Sequence, residues 1–354
     1  MIIGKHIHKN EYKSLGGGKM AATIKDVAKM ANVSISTVSR VVNDSKPVSP
    51  EARRRVLHAI EVLQYEPNEI ARSLVTRKSN IIGVIVEDFG LSFVSQVLRG
   101  VEEVARMYKY DILVSSTYGD PEIENKYMKL FLQKQVEGII VITESDNNER
   151  IQYLKSLKVP VAYLNRYYRN DEISTTTIDN TESTKALVEY IISMGHEKIS
   201  YLGNKKDLEA TVERFREKGY MEAMKEKGLK AEILSVSEDS EEGFLDAKDS
   251  ILKTVKNGTT ALAVFSDEGA IRVINMLKDN GIRVPEDVSV TGMGDITMAD
   301  LYRPKLTTVK EPLYDYGAVS VRTIIKAIKG EGKMPKEKLI LPYQIIERES
   351  VKKL

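Results

Sequence analysis

The chain carries two hydrophobic textures, one helical throughout and one that alternates between strand and helix. In Thr23 to Asn43, TIKDVAKMANVSISTVSRVVN, apolar Ile24, Val27, Ala28 and Ala31 recur at three- and four-residue spacing. That small-residue stripe predicts a short helix packed closely on a neighbour. After a break at Asn32-Val33, Ser34 caps a second predicted helix. It turns Val38, Val41 and Val42 inward and leaves Ile35, Ser36, Thr37, Ser39 and Arg40 outward. A third helix is predicted from Ser49-Pro50-Glu51, with Val56, Leu57, Ile60 and Leu63 as its buried stripe and Arg53, Arg54 and Arg55 mostly outward. Residues 68–78, NEIARSLVTRK, make about two helical turns, too few to be stable alone, so a partner could order them.

From Ser79 the period changes. Strand-like runs recur at 81–86 (IIGVIV), 111–115, 138–143, 159–164, 199–202, 261–265 and 288–291, separated by helical patterns at 93–108, 123–134, 182–194, 213–227 and 269–280. Strand and helix in alternation predict parallel sheets with helices on both faces, and ligands beyond the carboxyl ends of the strands. About eight strands fit either one large sheet or two smaller ones.

Composition narrows the class. A chain of 354 residues exceeds one ordinary domain. No apolar run approaches the roughly 20 residues that cross a bilayer, and no signal-peptide core opens the chain, so a soluble, cytoplasmic, nucleoid-associated protein is expected, with no membrane partner. Zero cysteine excludes disulfides and thiolate metal sites. The net charge of +2 is uneven: residues 20–79 hold ten Lys/Arg against six Asp/Glu, residues 1–19 add +3, and the remainder stands at −5. Basic charge beside the helix pair suits an anionic polymer. Residues 1–19 have no sustained period and are expected to be disordered, as a flexible arm or an upstream start codon wrongly assigned.

Enzyme motifs are missing. Gly16-Gly17-Gly18-Lys19 lacks the spacing of a phosphate loop, no G-x-G-x-x-G or G-x-S-x-G occurs, and His6, His8, His58 and His196 are scattered. No metal, no cofactor and no catalytic residue is expected. His196, following Gly195 at a helix end, is expected to cap carbonyls. Two short helices, a tight turn and an outward face of hydroxyls with one arginine fit a helix-turn-helix, in which the second helix enters the major groove of DNA. Periodicity alone leaves a generic helix pair with a solvated face equally open.

The residues carry a resemblance that decides between them. TIKDVAKMANVSISTVSRVVN, YEPNEIARSL, IIGVIV, GHEKISYLG, RFREKGY, FSDEGAI and RPKLTTVKEPLYDYGAVSV resemble the lactose/galactose repressor family of bacterial transcription regulators, in register from Thr23 to about Ser350. The resemblance implies an α/β protein with an all-α helix-turn-helix headpiece at 20–66 and a hinge helix at 67–79. The remainder, 80–354, would be an effector domain like periplasmic sugar-binding proteins, made of two doubly wound parallel-sheet subdomains. The first would hold about 80–178 and 311–330, the second about 180–309 and a C-terminal strand near 338–350. Homodimers on pseudo-palindromic, double-stranded operator DNA are expected.

Roles follow by position. Ile35, Ser36 and Arg40 fall where the family reads base edges, and Thr23, Thr37, Ser39 and Asn43 where it holds phosphates. Asn68, Ala71 and Leu74 fall on the hinge, with Leu74 as the minor-groove wedge. Arg216 and its expected carboxylate partner Asp267 would meet a hydroxyl-rich or carboxylate-bearing small molecule, a sugar or related metabolite, with Asp88, Phe93, Asn165, Asp295 and Tyr316 as further candidates. ARMYKYDILVSS and YDYGAVSVR resemble the catabolite control branch, where serine-phosphorylated HPr is the corepressor. In that alternative Arg303 and Arg322 would meet the phosphoserine.

Overall fold

The computed structural model describes residues 22–44, 46–66, 78–143, 153, 156–165, 174–204, 212–236, 241–330 and 338–354. The expected hinge residues Asn68, Ala71 and Leu74 and the segment 1–19 lie outside the described residues. The chain divides into two compact units, up to Lys78 and from Ser79 onward.

Among the described residues, the first unit holds three helices, α1 (Ile24–Ala31), α2 (Ile35–Asn43) and α3 (Pro50–Leu63). Val27, Ala28, Ala31, Val38, Val41, Val56 and Ala59 form its core. The α3 stripe differs from the expected one: Ala52, Val56 and Ala59 are buried, whereas Leu57 is half exposed. Small alanines let α3 approach α1 closely, which turns the larger Leu57 out.

The second unit contains two six-stranded sheets. Strands β1 (Ile81–Val86), β2 (Asp111–Ser116), β3 (Gly138–Thr143), β4 (Val161–Asn165), β5 (Thr175–Thr177) and β11 (Lys338–Ile340) form one, in the order β11-β5-β4-β3-β1-β2, all parallel. Strands β6 (Ile199–Asn204), β7 (Glu232–Val236), β8 (Ala261–Val264), β9 (Ser289–Gly294), β10 (Thr307–Lys310) and β12 (Gln344–Ile346) form the other, in the order β12-β10-β9-β8-β6-β7. Only β12 is antiparallel to its neighbour there. In each sheet the strand order reverses beside the first strand, β1 and β6, which opens a crevice at the carboxyl ends.

Helices α4 (Ser92–Met107), α5 (Pro121–Gln133) and α11 (Leu313–Lys329) accompany the first sheet. Helices α6 (Asn180–Ser193), α7 (Glu213–Glu226), α8 (Glu241–Lys256), α9 (Asp267–Asp279) and the short α10 (Thr297–Leu301) accompany the second. The chain crosses between sheets after β5, after β10 and after β11. The C-terminal strand expected near 338–350 in the second subdomain is in fact two short strands, one in each sheet. The Leu341 N–H still donates to the Thr177 carbonyl at 2.8 Å, and the ladder stops at Pro342, which has no N–H to give it. Among the described residues no helix is long and apolar enough to cross a membrane.

Candidate functional site

The small unit builds its outward face from capped helix starts. Thr23 and Asp26 make a capping box on α1: the Thr23 N–H donates to Asp26 Oδ2 at 2.9 Å, and the Asp26 N–H donates to Thr23 Oγ1 at 3.4 Å. The Thr23 hydroxyl, donating to Asp26 Oδ2 at 2.7 Å, and then the Thr23 N–H hold the Asp26 carboxyl below its ordinary range. Asn32, in the left-handed region at φ 50°, turns the chain, and Ser34 caps α2 by accepting from the Thr37 N–H at 3.2 Å. Ser34 Oγ also lies 2.8 Å from both Ser36 Oγ and Thr37 Oγ1.

The cap fixes the rotation of α2. Val38 and Val41 point inward, while Ile35, Ser36 and Arg40 are exposed side by side. Ile35 is 46 % exposed, an apolar side chain held in water beside hydroxyls and a cation. Thr37, Ser39 and Asn43 are half-buried, and Asn43 Nδ2 donates to Ser39 Oγ at 3.2 Å. Arg53 pairs with Asp44 at the end of α2, whereas Arg54 and Arg55 stand exposed on α3. Exposed apolar, hydroxyl and guanidinium groups on one helix face have the chemistry that reads thymine methyls, guanine edges and phosphates.

In the large unit, the carboxyl ends of β6, β8, β9 and β10 gather a buried polar cluster. Arg216 on the first turn of α7 is only 3 % exposed. Its Nη1 donates to the Phe265 carbonyl at 2.7 Å, and its Nη2 donates to Glu311 Oε1 at 3.0 Å. The carboxylate that Arg216 meets is therefore Glu311, following β10, and not the expected Asp267. Asp267 is committed elsewhere: Oδ1 accepts from Thr308 Oγ1 at 2.5 Å and Oδ2 from the Ile296 N–H at 2.9 Å. It ties α9 to β10 and to the segment after β9, and burial pushes its carboxyl up to about 7 against those two bonds. Gly292 is required there, since a Cβ would collide with the Asp267 carboxylate.

Glu213, one turn before Arg216, accepts from the buried Tyr201 hydroxyl at 2.6 Å. Burial raises its carboxyl to about 7, although Arg216 and Tyr201 pull it down. Asp295 sits in the left-handed region at φ 56° and accepts from Arg348 Nη2 at 2.6 Å, the pair half sheltered from water.

The remaining candidates scatter. Asp88, after β1, accepts the Gly90 N–H at 2.8 Å in a local turn. Phe93 is half-buried against the first core. Tyr316, expected at the cleft, is 2 % exposed within that core on α11. The side chain of Asn165, at the end of β4, lies outside the described residues. Arg303 and Arg322 are not brought together: Arg303 follows α10 and donates to the carbonyls of Asp300, Leu301 and Tyr302, while Arg322 is exposed on α11, which packs on the other sheet. Glu311, Glu213 and Tyr201 escaped the sequence reading. Glu311 alone carried a signal, as an acid just past a buried strand, whereas Glu213 opens a charged helix and Tyr201 lies inside an apolar run. Among the described residues no group of carboxylates and histidines has metal-site geometry.

Comparison with known proteins agrees with both halves. Residues 23–68 match the family described as bacterial regulatory proteins, lacI family, and residues 188–351 match the periplasmic binding protein-like domain. The chain is 34 % identical over 345 residues to the HTH-type transcriptional regulator RegA of Clostridium saccharobutylicum, covering 94 % of this chain and 99 % of that protein. It is also 34 % identical over 336 residues to catabolite control protein A of Priestia megaterium, covering 94 % and 100 %. The crystal structure of the lac repressor dimer bound to operator and the anti-inducer ONPF superposes with a TM-score of 0.81 at 26 % identity, covering 94 % of this chain and 99 % of that one. These relatives are regulators and not enzymes. A capped reading helix ahead of two doubly wound sheets, with this identity along nearly the whole chain, places the protein in the lacI family of DNA-binding transcriptional regulators.

Proposed function

We propose that this regulator is a repressor that binds a pseudo-palindromic operator as a homodimer, with affinity set by a small hydroxyl-bearing effector between the two sheet subdomains. The observation that carries the DNA half is the exposed row Ile35, Ser36 and Arg40 on a helix whose rotation Ser34 fixes. Ile35 suits a thymine methyl and Arg40 a guanine edge, while Thr37, Ser39 and Asn43 serve the phosphates. Thr23 keeps its capping bond while offering its N–H end of α1 to the backbone of the duplex. Asn68, Ala71 and Leu74 form the hinge in this reading, with Leu74 inserted in the minor groove.

The effector half rests on chemistry at the carboxyl ends of the second sheet, where the buried pair Arg216–Glu311 and the less buried Asp295 gather at the edge that doubly wound folds use for ligands. A ligand that binds one closure state better shifts the pair of headpieces toward or away from operator, and a coupling of about 1 to 3 kcal/mol changes operator affinity about 5- to 150-fold. The test is selection of operators from a random duplex pool by the full chain. A recovered site with two-fold symmetry supports the proposal, and recovery of no symmetric sequence rejects it.

A second reading has one specific observation in its favour. Arg322 is exposed on α11, turned away from the core and near enough to influence Tyr314, in a chain 34 % identical overall to a catabolite control protein A. In that reading serine-phosphorylated HPr docks on α11, and Arg322 meets the phosphate. Arg303, on the other subdomain, takes no part.

A further inference from the structure

At the carboxyl edge of the second sheet, the deeply buried Arg216 is already neutralised. Arg216 and Glu311 are 3 % and 1 % exposed at their side chains and 3.0 Å apart, so their charges cancel where water cannot screen them. Asp267, Glu213 and Asp295 are further acids of the cluster, and Glu217 lies beside Glu213. The first two are buried and hold hydroxyl or N–H donors, and Asp295 holds Arg348. Among the described residues of this cluster, an entering phosphate or carboxylate would meet cations already paired, Arg216 with Glu311 and Arg348 with Asp295, and several carboxyl groups. An uncharged hydroxyl meets a different situation: Arg216 Nε is a buried N–H with no acceptor, and one hydroxyl oxygen would satisfy it.

We infer that Glu311 determines which effectors the cleft admits: as the built-in counter-ion of Arg216 it favours uncharged, hydroxyl-bearing ligands and turns away phosphorylated and carboxylate-bearing ones. This rests on the reading of the cleft as the effector site and narrows the ligand class that an arginine by itself would suggest. Glu311 comes from the segment joining β10 to α11, so the selecting group sits on a crossover between the two sheets. Arg216 comes from α7, and the Phe265 carbonyl at the end of β8 fixes its second nitrogen. With three elements holding it, the guanidinium cannot swing to an anion without abandoning Glu311 in a buried place.

The experiment uses the full chain with inorganic phosphate as the anion probe, against chloride at matched ionic strength, read by thermal shift and calorimetric titration. Wild type is expected to give no saturable phosphate response. Glu311→Gln should melt lower in chloride and gain a saturable rise in phosphate, with affinity at least about tenfold above wild type. The double variant Arg216→Met/Glu311→Gln should lose that gain, which also controls for phosphate held by the unchanged headpiece. Equal phosphate responses in wild type and Glu311→Gln overturn the inference, as does a wild-type response that Arg216→Met abolishes. If Glu311→Gln does not fold in chloride, refolding is repeated in phosphate: recovery supports the counter-ion role, and failure to recover rejects it. A panel of unphosphorylated sugars on wild type tests the underlying reading separately. If none binds while Glu311→Gln gains phosphate, the effector-cleft reading fails and the counter-ion role stands.

Discussion

His196 Nε2 lies 3.0 Å from the carbonyl of Lys352, so a fully buried imidazole holds the C-terminal tail against the second sheet. A carbonyl only accepts, which places the proton on Nε2 and leaves Nδ1 to accept from the Thr260 hydroxyl at 2.9 Å. Leu354 continues the seam by donating its N–H to Met194 O at 2.8 Å. The residue expected to cap helix carbonyls instead ties two distant stretches of chain together.

A pH dependence of stability follows. Burial lowers the His196 pKa below its ordinary 6.5, so the folded state prefers the neutral ring while the unfolded chain takes up a proton near 6.5. The stabilisation from the neutral ring is present above 6.5 and is lost as pH falls below it. Glu213 and Asp267, raised to about 7, act in the opposite sense: their contribution is present below the ordinary carboxylate range and lost as pH rises through 7. The difference between wild type and His196→Asn isolates the histidine. At pH 7.5 the variant should be less stable by about 1 to 3 kcal/mol in urea melts, since buried partners lose their bonds. The gap should narrow at pH 5, and a gap that stays constant or widens would count against this assignment.

Two glycines set the contact between α4 and α11. A Cβ on Gly317 would run into the Val97 carbonyl, and one on Gly100 would run into the Tyr314 carbonyl. Helix propensity favours Gly317→Ala by about 0.5 to 1 kcal/mol, whereas forcing apart two packed backbones costs about 1 to 3 kcal/mol or more. The collision is with backbone and cannot be relieved by a rotamer change, so it should decide the sign. Equilibrium unfolding of Gly317→Ala should show net destabilisation. A variant as stable as wild type would mean that the two helices slide apart freely.

The fold class was legible because β1, β3 and β8 are unbroken apolar runs and the helices between them have clear periods. The strands that escaped were β5 (TTT), β7 (EILSV) and β10 (TTVK), which are short or polar. Thr175, Thr176 and Thr177 are nonetheless buried, because β-branched side chains fit a packed sheet surface even where a hydrophobicity pattern counts them as exposed. The outward face of α2 was readable from spacing because a helix fixes its own faces. The Arg216 partner was not, because Glu311 lies far along the chain and only the crossover after β10 brings it near. A residue match indicates a position, and packing decides which charge it meets.

Arg40→Ala should weaken specific operator binding by about 1 to 3 kcal/mol and relax preference at one base pair in each half-site. The side chain is exposed at the outward face of α2, so the substitution leaves the Val38 and Val41 packing untouched. Fluorescence anisotropy with matched and substituted duplexes measures both effects. Equal losses on every sequence would show that Arg40 holds only a phosphate. With wild type the same assay should fall steeply with salt, by about 10³- to 10⁵-fold between 50 and 200 mM if six to ten phosphates are neutralised.

The two readings of regulation separate at Arg322. On α11 it is exposed, while its neighbours Val321, Thr323, Ile324 and Ile325 are buried, so Arg322→Glu reverses a surface charge without entering the core. A dianionic phosphoserine docked there would lose a charge-assisted pair and gain a repulsion, together enough to lower affinity at least about tenfold. If serine-phosphorylated HPr strengthens operator binding by wild type, Arg322→Glu should remove that strengthening and leave operator binding alone unchanged. Arg303→Glu should leave the HPr effect intact, because that guanidinium holds the backbone at the end of α10 on the other subdomain. An HPr effect abolished by Arg303→Glu and spared by Arg322→Glu would reverse this assignment, and no HPr effect on wild type would leave the cleft effector as the regulator.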